Sequence, residues 1–256
     1  MKRSPVLVDL ALQGGGAHGA FTWGVLDRLL EEDWLKIEGI SGTSAGAMNA
    51  AVLVSGHAQG GSAGAKASLE AFWRAVSDAA RFSPFRRSPF DILTGQWTLD
   101  NSPLFIAFDL MARIVSPYDL NPNGLNPLSD VLLASACLPA MFQAVEIDGE
   151  AYWDGGFAGN PTITPLVQEC DSKDTILVQV NPVERPGTPR SAREIVNRVN
   201  EVSFNATLLK ELRMIAVLRQ VTDPGNAEGA RWADMHIHRI SSDLMKKLGY
   251  SSMLNA

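Results

Sequence analysis

Cysteine is scarce in this chain. Cys137 and Cys170 are the two it has, too few for a disulfide framework or a four-cysteine zinc site. So sparse a usage fits a reducing compartment. Basic charge is also in short supply. Against 28 acidic residues stand 22 Lys and Arg, a net charge of -6, which excludes a global electrostatic footprint for nucleic acid. No run of ~18 uncharged apolar residues occurs, so a membrane-spanning helix is not expected. The apolar opening at residues 6–12 is short and carries Asp9, which argues against a signal peptide. With 22 Gly and 14 Pro the chain is neither collagenous nor disordered. No internal repeat and no linker interrupts it. The expectation is a cytoplasmic protein folding as one domain over residues 1–256.

What is present is ordinary globular material: 256 residues, 46% hydrophobic and 20% charged, enough to bury a core. Residues 6–12 (VLVDLAL) read as a buried strand. A glycine run, GGGAHG at 14–19, follows it. Phe21, Val25, Leu26, Leu29 and Leu30 then recur at helical spacing. A second strand at 37–40 leads into SGTSAGAMNAAVLVSG, whose residues 45–54 suit a buried helix. This β-α-β-α order predicts α/β architecture with a mostly parallel sheet. Further helices are expected at 62–80, 104–115, 128–136 and 190–219. Residues 81–103 read as irregular, 116–130 as turn-rich, and strands are expected at 175–180 and 235–240. Asp148-Gly149, between short strands at 145–147 and 150–153, is a hairpin-turn signal.

The glycine run allows two readings. G-x-G-x-x-G between a strand and a helix is the dinucleotide-binding turn, in which amides approach a pyrophosphate. That reading needs an acid ~20 residues on, at the end of the second strand, to hold the ribose. The strand ends instead in Ile40-Ser41-Gly42-Thr43-Ser44-Ala45-Gly46, a G-x-S-x-G between a strand and a helix. This is the context of a nucleophile elbow. Ser44 must then hold a strained backbone, and side chains at 42 and 46 would collide, which explains Gly42 and Gly46. An N-capping serine is the plainer alternative. With Ser44 as nucleophile, Gly14, Gly15 and Gly16 become an oxyanion hole whose amides meet the developing negative charge.

The base is less evident. His236 and His238 alternate on the last expected strand, so both face one side. His57 lies about three turns along the helix after Ser44. His18 stands beside the glycine run and could order it or meet an anionic group. Asp154, in Trp153-Asp154-Gly155-Gly156 after a strand, is a better candidate, since a carboxylate within reach can take the serine proton. Asp148-Gly149 needs no role beyond its turn.

Together these residues resemble the patatin-like phospholipase family, which pairs a glycine-rich oxyanion loop and a G-x-S-x-G serine with an Asp in a D-G-G or D-G-A motif. The matches are Gly14 to Gly19, Gly42 to Gly46 and Asp154 to Gly156. Ala134 to Pro139 with Phe142, and Asn160-Pro161, also fit. The resemblance covers roughly residues 5–185 and leaves a helical stretch and a last strand in 186–256. It implies a three-layer α/β/α sandwich and lipid acyl-ester hydrolysis by a Ser44–Asp154 dyad, without histidine, metal or cofactor. His18, Gly19, Gly155 and Gly156 would support the motifs. Two departures stand out. The family has Arg or Lys at the position of His18, so a fixed positive charge is lost or becomes pH-dependent. No Val/Ile/Thr-rich run supplies a strand pair before Leu128. A catalytically silent lipid-binding or scaffold protein of the same fold is therefore the alternative to an enzyme. Arg81 to Phe90 (RFSPFRRSPF) suits contact with an anionic membrane, at ~1 kcal/mol per exposed basic residue. Its alternative is a proline-rich loop whose phenylalanines pack inward.

Overall fold

In the computed structural model, residues 3–81, 127–139, 143–190 and 192–247 are described. They form β1 (Val6–Leu12), α1 (Gly19–Leu29), β2 (Leu35–Gly42), α2 (Ala45–Arg81), α3 (Pro127–Ala136), β3 (Val145–Ile147) and β4 (Glu150–Tyr152). After these come α4 (Thr164–Glu169), β5 (Asp174–Val178), α5 (Ala192–Val221), α6 (Ala227–Ala233) and β6 (His236–Ile240). The chain divides into two compact units, Met1–Ala50 with Gly155–Leu254, and Ala51–Asp154 with Asn255–Ala256. The basic and aromatic run after Arg81, the helix expected at 104–115, Phe142 and the region of the strand pair sought before Leu128 lie outside the described residues.

The first unit is α/β, a four-stranded sheet in the order β2-β1-β5-β6 flanked by helices. Every pairing is parallel. Parallel strands are covered on both faces and read as continuous apolar runs. Accordingly β1 from Val8 onward and nearly all of β5, at the centre, are buried, whereas β2 and β6 at the edges are partly open. The pairing of β1 with β2 shifts between Val8 and Leu10. There Asp9 Oδ1 accepts the Gly39 N–H at 3.1 Å, so a side chain satisfies a backbone donor that the ladder leaves over. Against the sheet, Ile163, Leu166 and Val167 around α4, Leu208 and Ile215 of α5, and Trp232 of α6 pack on Ala11 and Leu177. Each fully buried large apolar side chain contributes about 1.5–3 kcal/mol.

Chain order reverses across this sheet. From β1 the chain goes to β2 on one side, and β5 lies on the other. The carboxyl ends of β1 and β5 therefore flank a topological switch point, where open α/β sheets place their ligands. Gln13 and the glycine run leave β1 there, and Gln179 to Asn181 leave β5.

In the second unit α2 is interrupted at Gly60 and Gly61, whose backbones are non-helical, so the helices expected at 45–54 and 62–80 are separate in effect. Gly56 and Gly64 let them lie close. A Cβ at Gly64 would stand 2.3 Å from the Gly56 carbonyl oxygen. Beyond them Ala65, Leu69, Phe72 and Trp73 are buried. Strands β3 and β4 form the expected hairpin, with Val145 opposite Tyr152 and Ile147 opposite Glu150. Its turn has Asp148 at φ 52° and Gly149 at φ 81°, the primed geometry that Asp-Gly favours.

Candidate active site

The end of β2 turns sharply into α2 at Ser44, a non-glycine residue at φ 53°. Short bonds fix the turn. Thr43 N–H donates to Leu12 O (3.2 Å), Gly46 N–H to Thr43 O (2.8 Å) and Met48 N–H to Ser44 O (3.0 Å). Thr43 Oγ1 donates to Gly159 O at 2.7 Å. Asn49 Nδ2 ties the starts of two helices together through the carbonyls of Gly19 and Ala45. Glycine is required on both sides of the serine. A Cβ at Gly42 would stand 2.7 Å from backbone atoms of Gly46 and Ala47, and one at Gly46 only 2.1 Å from Leu12 O. Ser44 is thus a buried residue at a helix N-terminus, where the dipole favours negative charge.

The glycine run packs on this elbow. Gly14 and Gly15 are buried and Gly16 is exposed. A Cβ at Gly14 would lie 2.6 Å from Thr43 O and 2.9 Å from Ser44 Cβ. Gly16 is at φ 54°, which favours glycine, and it opens a short 3-10 turn, Gly16–His18, before α1. The three amides are not equivalent. Gly14 N–H donates to Asn160 Oδ1 at 2.6 Å and points into protein. The Gly14 amide, which the sequence reading set beside those of Gly15 and Gly16 in an oxyanion hole, thus already has a partner within the protein.

His18 sits in that turn, with its N–H donating to Gly15 O at 3.1 Å. Burial, reinforced by the nearby Arg185 guanidinium, pushes its pKa down to about 4. The ring is neutral at pH 7 and supplies no positive charge beside the glycine run. Arg185 itself is held by Glu201 at 2.7 Å. The other histidines lie further along the chain. His57 is exposed on α2. His236 and His238 share a face of β6, their rings stacked with centroids 6.5 Å apart. His238 Nε2 lies 2.7 Å from Asp174 Oδ1. His236 is in register with Asp174, at the amino end of β5, whereas Leu12 and Val178 pair at the carboxyl end.

Asp154 follows β4 and precedes a 3-10 turn, Gly155–Phe157, in which Gly156 is buried. Its N–H donates to Cys137 O at 2.7 Å, and the residue is 4% exposed. Burial and the Asp154 charge together raise the Cys137 thiol to about 11, so it is not a thiolate at neutral pH. After this turn Gly155 O accepts the N–H groups of Ala158 and Gly159, which sets the backbone leading to Asn160.

Asp9, Glu38 and Cys170 are the described groups whose ligand atoms approach within 4.8 Å of one another. They already serve the fold. Asp9 accepts the Gly39 N–H, and Glu38 accepts the N–H groups of Asp171 (3.2 Å) and Ser172 (2.8 Å). Burial raises Asp9 to about 6, although its hydrogen bonds with Cys170 and Gly39 oppose the shift.

Buried amides surround the loop: Asn160, of the Asn160-Pro161 pair already singled out, and Gln13, Asn181 and Asn205, which carry no motif in the sequence. The one legible signal of Gln13 and Asn181 is position, since Gln13 directly follows β1 and Asn181 lies three residues beyond β5.

Residues 10–105 and 104–167 match the model of the patatin-like phospholipase family, more than half of the chain. The chain belongs to the patatin-like phospholipase family. The match takes in the glycine run, the Ser44 elbow, Asp154 and Asn160. Over 208 residues the chain is also 24% identical to the uncharacterised protein YjjU of Escherichia coli (strain K12). That likeness covers 73% of this patatin-like chain and 55% of YjjU, so the chain spans about half the length of the curated relative it matches. Among the described residues no helix is long and apolar enough to cross a membrane.

Proposed function

We propose that this patatin-like phospholipase hydrolyses acyl esters of lipids through an acyl-serine intermediate on Ser44. The observation that carries the reading is the Ser44 backbone. It is a non-glycine residue at φ 53°, buried at a strand-to-helix turn and packed on Gly14. Strain of this kind, about 1–3 kcal/mol, persists where the surroundings over-determine it, and such places cluster at active sites.

In the reaction Ser44 Oγ attacks the ester carbonyl carbon while Asp154 takes its proton. The carbonyl electron pair moves onto oxygen, and the N–H groups of Gly15 and Gly16 receive that charge. As the carbonyl re-forms, the ester C–O bond breaks and the alcohol leaves with the proton from Asp154. Water then attacks the acyl-serine, gives a proton to Asp154 and releases the carboxylic acid, and the proton returns to Ser44 Oγ. Two donors of this kind supply several kcal/mol between them, since losing one slows related enzymes roughly 10²–10³-fold. The substrate lies at a lipid surface, with the basic and aromatic run from Arg81 to Phe90 as the contact.

Hydrolysis of a series of p-nitrophenyl acyl esters tests this with wild type, Ser44→Ala and Asp154→Asn, each checked for folding. Both variants are expected to lose about 10⁴-fold or more in kcat, and the double variant little beyond that, because the two act as a unit. A folded Ser44→Ala protein that turns over at the wild-type rate overturns the reading. An Asp154→Asn protein within about tenfold of wild type removes Asp154 as the base.

A further inference from the structure

We propose that Asn160 is a positioning residue for the glycine loop, holding the Gly14 peptide so that Gly15 and Gly16 alone are presented to an oxyanion. The inference rests on the hydrolase reading and assigns a role to a residue outside the dyad and outside the loop. Its basis is a two-sided clamp. Asn160 Oδ1 accepts the Gly14 N–H at 2.6 Å, and Asn160 Nδ2 faces Gly14 O at 3.4 Å. Asn181 Nδ2 donates to the same carbonyl at 2.8 Å. Both backbone groups of Gly14 are thus held by carboxamides from segments about 150 residues away in sequence.

The chemistry of the clamp explains its residue type. A carboxamide offers an acceptor and a donor side by side, matching the N–H and C=O of one residue. A carboxylate accepts only, and a hydroxyl cannot reach both groups. Asn160 and Gly14 are fully or almost fully buried, so neither group has water as a substitute partner. Glycine at 14 is what admits the clamp, because its absent Cβ would stand 3.1 Å from Asn160 Oδ1 and 2.9 Å from Ser44 Cβ. Asn160 is itself set by the turn that begins at Gly155, and its neighbour Gly159 receives the Thr43 hydroxyl. One rigid frame therefore fixes the serine elbow and the loop together.

Gln13 repeats the device one residue earlier. Its Oε1 accepts the N–H groups of Val180 (2.9 Å) and Asn181 (2.8 Å), and its Nε2 donates to Asn205 Oδ1 at 3.1 Å on α5. With positions 13 and 14 pinned, freedom in the loop begins at Gly15. A donor misplaced by about 1 Å can slow a reaction 10²-fold, so a clamp at this point acts on rate and not on ground-state binding.

The test is steady-state hydrolysis of a p-nitrophenyl ester by wild type, Ser44→Ala, Asn160→Ala and Asn160→Asp, well below each melting temperature. Asn160→Ala is expected to lower kcat about 10²-fold with KM within about threefold of wild type. Asn160→Asp keeps an acceptor for the Gly14 N–H and is expected to recover about tenfold of that loss. If Ser44→Ala is inactive while Asn160→Ala stays within about threefold of wild-type kcat, the clamp has no catalytic role and the proposal fails alone. If wild type and Ser44→Ala turn over alike, or neither turns over, the hydrolase reading fails and takes the proposal with it. Should Asn160→Ala not fold, amide exchange on 15N-labelled wild type decides. A Gly14 amide that is shifted downfield and exchanges slowly supports the clamp, and one exchanging at an unprotected rate overturns it.

Discussion

Ser44 and Asp148 share an uncommon backbone. Their φ angles are 53° and 52°, left-handed in both cases, and each stands near glycine. Everything around them differs. Asp148 is exposed at the tip of the β3–β4 hairpin, and a Cβ on Gly149 would meet nothing within 4 Å. Ser44 is buried, and a Cβ on Gly42, Gly46 or Gly14 would collide with backbone within 2.7 Å. The hairpin adopts its geometry because the twist of two strands asks for a primed turn. The elbow adopts the same angle because three segments of chain converge on it. Positive φ by itself does not set Ser44 apart in this protein; the crowding around it does.

Gly46→Ala attacks the crowding directly and should have the largest effect. The new Cβ would stand 2.1 Å from Leu12 O and 2.7 Å from Leu12 C, both backbone atoms at the end of the central strand. A loss of about 3 kcal/mol or more in urea unfolding is expected, with ester hydrolysis falling alongside. A change within about 0.5 kcal/mol would break the comparison, because the elbow would then be no more constrained than a surface turn. Gly149→Ala is the counterpart. Its Cβ has room, but φ 81° is unfavourable for alanine, so about 1–2 kcal/mol is expected to be lost. Ester kcat/KM should stay within about twofold of wild type, and a larger fall would draw the hairpin tip into the site.

Much of this contrast is legible in the sequence. Asp-Gly between alternating short strands signals a turn, and Gly-x-Ser-x-Gly between a strand and a helix signals an elbow. Gly60-Gly61 likewise separates two helical patterns where the structure has its break. What is not legible is of two kinds. Helices α4 and α6, six and seven residues long, span less than two full turns and show no period to read. Their local start signals are Asn226, which caps α6 by accepting the Gly229 N–H at 2.7 Å, and Pro165 in the first turn of α4. The second kind is long-range pairing. Gln13, Asn181 and Asn205 look like ordinary polar residues, and Asn160-Pro161 shows no partner, until the sheet brings residues 13, 160, 181 and 205 together. For the same reason nothing in the three equal glycines of the sequence announces that Gly14 is held on both sides by carboxamides. The neutrality of His18 is also a product of burial, which no local pattern encodes.

The sharpest form of the comparison is a pair of matched substitutions. At each of positions 44 and 148, glycine and alanine variants remove the same side-chain atoms beyond Cβ and differ only in that carbon. Whatever bonds the Ser44 or Asp148 side chain makes therefore cancel within each pair. What remains is the left-handed penalty for an L-residue, partly offset by the extra freedom of glycine in the unfolded chain, about 1 kcal/mol in favour of glycine. Because the two φ angles agree within a degree, this difference is expected to be equal at both sites by urea unfolding. Activity should separate them, with both Ser44 variants inactive and both Asp148 variants as active as wild type. A glycine advantage at 44 exceeding that at 148 by more than about 1 kcal/mol would show that the elbow also presses on the serine Cβ, for which Gly14 stands nearest. Equal differences would show that the strain at Ser44 is that of an ordinary turn, and that its surroundings alone distinguish it from Asp148.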